Sequence, residues 1–457
     1  MNERQLDVVV LGAGPPGEIC AGRLTEGGLS VAIVEPHLVG GECSYYACMP
    51  SKALLRPGEL LAEARRVPGV KQAVTGELDP EIVLERRDEV IHDLDDSGQL
   101  PWLEERGIEL FRGEGRLDGE RRVVVGDEVL IAATAVVVAT GSDAVMPPID
   151  GLDSVGAWNN RQGTTSKQTP ESMIVLGGGP VGVELAQAWS TLGTSIRLVE
   201  GDRGLLPREE PFAGQQVEDS LRENWGVEVR CACKANKVSR RDSKVVAELE
   251  DGGKVEAAEI LVAVGRTPRT EGIGLESVGI EPDGFLGVDD WLRVPGAGDW
   301  LYAIGDVNGR ALFTHMGKYQ AWVAAERILG REAEAIAEDL GSPRVTFTDP
   351  QVAAVGKTLA QTKEAGLNVS ATDVETAGTA GASFYGKETA GTSRIVVDED
   401  RRVIVGATFV GFEVAEFLHA ATIAVVGEVP LPRLRHAIAA YPSRSEIWLK
   451  LLEKYGL

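Results

Sequence analysis

The sequence predicts an α/β fold: two Rossmann-like dinucleotide-binding domains followed by a C-terminal α+β domain. Three observations predict it. A 24-residue block occurs twice, at 12–35 (GAGPPGEICAGRLTEGGLSVAIVE) and 177–200 (GGGPVGVELAQAWSTLGTSIRLVE), with nine identical positions. Each copy follows a short apolar run, Val8-Val9-Val10-Leu11 or Met173-Ile174-Val175-Leu176, and closes on a second such run ending in an acid, Glu35 or Glu200. From about residue 343 the pattern changes: strands are predicted at Arg344–Phe347, Ser393–Val397 and Val403–Phe409, and helices at Glu413–Val426, Arg433–Ala440 and Ser445–Lys454.

Within each repeat the residue types match a dinucleotide site. Gly12 and Gly177 make the tight turn out of the strand. Gly14 and Gly179 let a pyrophosphate approach the backbone, and Gly17 and Gly182 let the helix pack against the strand. The helix N-terminus then offers free N–H groups and a favourable dipole to the phosphates. Glu35 and Glu200 are placed to accept from an adenosine ribose. One such glycine pattern is weak evidence; two, each with strand, helix and terminal acid, are strong. They imply two dinucleotides. A carboxylate at Glu200 repels a 2′-phosphate, which favours NADH, while Arg203 and Arg208 just downstream keep NADPH open.

Immediately after the first repeat comes Gly40-Gly41-Glu42-Cys43-Ser44-Tyr45-Tyr46-Ala47-Cys48-Met49-Pro50-Ser51-Lys52. The C-x4-C spacing allows a disulfide on one irregular helical turn. Zinc would need two further ligands, and none lies nearby; two buried free thiols is the third reading. No metal site is expected. Tyr45 and Tyr46 either line the path of an aromatic acceptor or belong to the core. Cys231 and Cys233 read as same-face residues of a strand, and Cys20 as buried packing.

Composition narrows the partners. The chain has 457 residues, 46 basic and 70 acidic, for a net charge of −24. Nucleic-acid and anionic-membrane binding need clustered Lys and Arg, so neither is expected. Five cysteines are too few for a disulfide scaffold. The polar start Met1-Asn2-Glu3-Arg4 has no signal-peptide core, and no apolar run reaches about 18 residues, so a cytoplasmic location is expected.

At 40–52 the sequence matches the form GGxCxxxxCxPSK, and with it the chain resembles the flavoprotein disulfide reductases. These are the class I pyridine nucleotide–disulfide oxidoreductases, the group of dihydrolipoamide dehydrogenase, glutathione reductase and mercuric reductase. Further motifs follow in order: Ala139-Thr140-Gly141-Ser142, Val264-Gly265-Arg266-Thr267-Pro268, Tyr302-Ala303-Ile304-Gly305-Asp306-Val307 and Phe347-Thr348-Asp349-Pro350. The resemblance implies FAD and NADH as cofactors, with electrons passing from NADH to flavin to a Cys43–Cys48 disulfide. It implies Cys48 as the flavin-facing sulfur, Cys43 as the interchange sulfur, and Lys52 near the flavin, paired with Glu184. Gly41, Thr140, Gly141, Asp306 and His315 would contact FAD, and Gly265 NAD. It further implies an FAD domain split as 1–151 and 268–338, an NAD(P) domain at 152–267, and a dimerisation domain at 339–457 that completes the partner's active site in a homodimer.

One motif departs. The family's terminal H-P-T-x-S-E reads here Tyr441-Pro442-Ser443-Arg444-Ser445-Glu446. Imidazole titrates near ~6.5 and phenol near ~10, so tyrosine is no ready base at neutral pH. Positioned acid–base groups typically supply ~10²–10⁴ in rate. The expected activity is therefore transfer from NADH through FAD to a small electron acceptor such as a quinone. The alternatives are reduction of a low-molecular-weight disulfide or dihydrolipoamide-type substrate without the His, and a redox-sensing flavoprotein. Mercuric reductases also carry Tyr here, but their C-terminal cysteine pair is absent from the tail Trp448–Leu457.

Overall fold

The computed structural model describes residues 2–281, 283–386 and 391–457. The chain forms two compact units, one of residues 1–50, 88–145 and 266–338, the other of 51–87, 146–265 and 339–457. Residues 51–87 thus cluster with the second unit, although the expected boundaries group them with the first 151 residues.

The first unit is built on a seven-stranded mixed sheet: five strands are parallel, and Arg122–Val125 and Gly115–Leu117 add antiparallel pairs at one edge. Asn2–Leu11 lies between Val31–Glu35 and Glu128–Val138, with Glu109–Arg112 beyond Val31–Glu35 and Leu301–Ala303 beside Val136–Val138. Val8, Val9 and Val10 are fully buried, as the central strand of a sheet covered on both faces requires. The helices Pro15–Glu26 and Thr314–Ile328 pack on one face, burying Cys20, Ala21, Leu24, Ala321 and Ala324. Cys20 is therefore core, and burial pushes its thiol up to about 12. Ser142–Ala144 and Arg266–Pro268 form a separate antiparallel ribbon.

The second unit repeats the plan. Its parallel strands run Glu228–Arg230, Ser195–Val199, Ser172–Leu176 and Glu259–Val262. The helix Pro180–Thr191 packs against them through Val183, Leu185, Ala186 and Trp189. Residues beyond 340 add a five-stranded antiparallel sheet ordered Arg344–Thr346, Gln351–Gly356, Val403–Gly411, Thr392–Asp398, Val369–Glu375. The helices Ala415–Val426 and Ile447–Tyr455 cover it.

Three sequence expectations change. The strands Gln351–Gly356 and Val369–Glu375 were not anticipated; the first, QVAAVG, lacks the alternation that marks a half-buried strand because it is buried almost throughout. The helix expected over Arg433–Ala440 is a single turn, Leu431–Leu434. Of its residues only Leu431 is buried, and the following stretch exposes His436, Ala437 and Ile438, so no apolar face holds a longer helix. Cys231 and Cys233 do not share a strand face. The strand stops at Arg230, and Ala232 takes a left-handed φ of 53° between them. Cys233 enters one core cluster while Cys231 packs on another and donates to Glu218 at 3.6 Å.

Candidate active site

The two glycine turns have the same geometry. Gly12 and Gly177 sit at φ 107° and 108°, in the left-handed region that glycine tolerates. A Cβ on Gly12 would strike the carbonyl of Ala139, and one on Gly177 that of Ala263. On Gly17 or Gly182 it would strike the carbonyl of Gly12 or Gly177. Gly14 and Gly179 are different: a Cβ would meet only Pro16 Cδ at 3.9 Å in the first case and nothing within 4 Å in the second. Each is the N-cap of a helix that opens with proline, Pro15 or Pro180, and each leaves open space at the turn. Gly41 closes against the first turn, where a Cβ would lie 2.9 Å from Gly14 Cα.

The acids at the strand ends brace these turns. Glu35 accepts from the amides of Ala13 (2.7 Å) and His37 (2.8 Å). Glu200 accepts from the amides of Gly178 and Asp202, the latter at 2.6 Å. Each carboxylate is held at the mouth of its own glycine turn, with remaining lone pairs for a ribose hydroxyl.

Cys43 lies in the short helix Gly41–Tyr45 and Cys48 begins the helix Cys48–Arg66. The two sulfurs are not bonded to each other in this structure. A hydrogen bond shared with Cys48, then burial, holds the Cys43 thiol above its ordinary range; Thr314 and Lys318 pull the other way. The Thr314 hydroxyl donates to Cys43 Sγ at 3.0 Å and lies 3.5 Å from Cys48 Sγ. Tyr45 is fully buried, so of the two aromatic residues between the cysteines it is core. Asp306 accepts from Ser142 Oγ at 2.6 Å, and Thr140 Oγ1 donates to the Arg269 carbonyl at 2.7 Å. Gly141 holds a positive φ of 76°. His315 is exposed in the first turn of Thr314–Ile328.

In the second unit, Lys52 Nζ pairs with Glu184 Oε2 at 2.6 Å and lies 4.8 Å from the centre of the Phe347 ring. Glu184 is buried, and its other oxygen accepts from the Phe347 amide at 2.9 Å. Gly265 lies three residues beyond the strand Glu259–Val262, at φ 145°. Tyr441 is 79% exposed and makes no hydrogen bond among the described residues. Glu446 does not reach it; its Oε1 accepts from the amides of Ser443 (2.8 Å) and Gly381 (3.1 Å). The acid of the terminal motif is therefore a backbone cap here.

Residues 6–328 match the family described as pyridine nucleotide-disulphide oxidoreductase, and residues 342–452 match its dimerisation domain. The chain belongs to the pyridine nucleotide-disulphide oxidoreductase family. It is 32% identical over 454 residues to a dihydrolipoyl dehydrogenase of Chlorobaculum tepidum, covering 97% of this chain and 95% of that one. A mercuric reductase of Staphylococcus aureus is 30% identical over 448 residues, covering 96% and 80%. In fold it is similar to the HOCl-induced flavoprotein disulfide reductase RclA of Escherichia coli, solved as a Cu(II) complex, with TM-score 0.87, 23% identity, and coverage of 98% and 99%.

Pyridine nucleotide-disulphide oxidoreductases use FAD and NAD(P)H. The residues present fit both groups: each glycine turn offers an open cradle at the position where a phosphate would approach, with a braced acid beside it. None of the described helices is long and apolar enough to cross a membrane. Three residues beside the cysteines and the first cradle escaped the sequence reading: Thr314, Lys318 and Glu18. Burial raises Glu18 to about 7, against the pull of Lys318. No local pattern marks them, because only packing brings their helices to the cysteine segment.

Proposed function

We propose that the protein passes reducing equivalents from NADH, through bound FAD, to a small electron acceptor such as a quinone. Bound FAD supplies hydride acceptance and onward electron transfer. Gly12, Gly14, Gly17, Glu35, Gly41, Thr140, Gly141, Asp306 and His315 hold it, and Gly177, Gly179, Gly182, Glu200 and Gly265 hold the nicotinamide nucleotide. Cys43 and Cys48 form the redox pair, and Lys52, fixed by Glu184, places a cation one helical turn beyond Cys48. In a homodimer Tyr441 and Glu446 face the partner's site.

The observation that carries this choice of acceptor is the tyrosine in the terminal motif, Tyr441, in place of a histidine. Among the described residues Tyr441 makes no hydrogen bond within its own chain, and Oε1 of Glu446 accepts from backbone amides. An acceptor that needs no thiol acid–base partner suits that arrangement. Thr314 between the two sulfurs favours the second reading, reduction of a low-molecular-weight disulfide through the pair.

Anaerobic titration of the purified holoenzyme with NADH tests the electron path. Uptake of about four electrons per flavin, with a long-wavelength band after the first two, places the cysteines in the circuit; two electrons and direct bleaching removes them. Cys43→Ser then separates the acceptors. Quinone reduction should persist within a few-fold, whereas disulfide reduction should vanish.

A further inference from the structure

We propose that Thr314 is a catalytic hydroxyl for the Cys43–Cys48 pair, donating to whichever sulfur is the thiolate, with Lys318 as the cation that favours that thiolate. This role rests on the reading that the pair is redox-active.

A threonine hydroxyl has one proton and serves one sulfur at a time. Here it lies within reach of both, 3.0 Å from Cys43 and 3.5 Å from Cys48. A bond to a charged sulfur is roughly twice as strong as one to a neutral group, so the hydroxyl follows the charge. Thr314 is also the first residue of a 15-residue helix, whose N-terminal dipole favours a negative charge at that end. Lys318 is one turn further on the same helix face.

Lys318 and the neighbouring Cys48 act on Cys43 directly. Glu18, from the facing helix Pro15–Glu26, acts on Lys318. The two helices touch where a Cβ on Gly317 would lie 2.6 Å from Pro16 Cγ. Glu42, beside Cys43, is tied to Arg269 at 3.3 Å. Thr314 and Lys318 are the two groups that lower the Cys43 thiol, against its burial and the bond it shares with Cys48. Thr314 and Lys318 lie in the same unit as the two cysteines.

The test uses the holoenzyme reduced with dithiothreitol and desalted anaerobically. Iodoacetamide labelling is followed from pH 5 to 10, with each site read by peptide mass spectrometry. In Thr314→Val, which keeps the side-chain shape, the midpoint of the pair's first ionisation should rise by about one unit, or roughly tenfold slower labelling below the midpoint. Thr314→Ser should stay within a few tenths of the parent. Lys318→Met should also shift the midpoint upward, and Lys318→Arg should not. Thr314→Ala, which only removes atoms, repeats the measurement if the valine variant does not fold. An unshifted midpoint in Thr314→Val or Thr314→Ala overturns the role. Because chemical reduction bypasses NADH, the two failures are distinguishable. A two-electron NADH titration with a shifted midpoint overturns the electron path, and with it the catalytic role, while showing that Thr314 still donates to the thiolate. A four-electron titration with an unshifted midpoint overturns the Thr314 role alone.

Discussion

Lys52 Nζ and Glu184 Oε2 stand 2.6 Å apart, joining the helix Cys48–Arg66 to the helix Pro180–Thr191 within one unit. Glu184 is nearly enclosed, while about a third of Lys52 reaches solvent. Removing the lysine leaves a buried carboxylate with, among the described residues, the Phe347 amide as its remaining hydrogen-bond partner. Lys52→Met should therefore destabilise the fold by about 1–2 kcal/mol, less than the 3–5 of a wholly buried pair. Adding Glu184→Gln should recover much of that loss. Urea unfolding of the single and double variants measures both, and equal loss in the two would show that the charge is not the cause.

The open positions at Gly14 and Gly179 separate the two cofactors. Neither Cβ meets a neighbour closer than 3.9 Å, so each turn has room for the first carbon of a side chain. Gly14→Val should lower the flavin-to-protein ratio by at least several-fold. Gly179→Val should keep the flavin and weaken NADH binding instead. Absorbance of the purified variants and an NADH binding titration check the pair, and loss of flavin in Gly179→Val would refute the division.

Glu59 makes stability depend on pH. Burial raises its carboxyl from 4.5 to about 7, partly opposed by Arg56, whose guanidinium lies 3.7 Å away. Between those values the native state keeps a proton that the unfolded chain has released, so stability falls as pH rises through the window. Glu59→Gln lacks that proton equilibrium. Relative to the parent it should gain roughly 1–3 kcal/mol between pH 5 and pH 8. Denaturant midpoints at the two pH values test this, and a difference that does not change with pH would rule it out.

Tyr441 offers a direct probe of the terminal motif. Its side chain is 79% exposed and unbonded among the described residues. Tyr441→Phe should change NADH-driven quinone reduction by less than about twofold. Steady-state turnover with a soluble quinone measures it; a loss of 10²-fold or more would mark the phenol as a working acid–base group.

The sequence by itself determined the parts that depend on contiguous residues. Both glycine turns, their terminal acids and the C-x4-C segment were legible because a left-handed φ, a helix N-terminus and a short cysteine spacing are set within a few residues. The strand at Gln351–Gly356 was hidden because full burial erases alternation. Tertiary structure decided the rest. Ala232, by its left-handed turn, sends Cys231 and Cys233 to different cores, and no residue type announces that. Thr314 stands 271 residues from Cys43, and nothing in either segment encodes the other. Their meeting depends on the sheet of the first unit, which sets the helices Pro15–Glu26 and Thr314–Ile328 on one face of a common core. The protonation chemistry of the cysteines is thereby a property of packing, since a thiolate responds to charges and donors in space rather than in sequence.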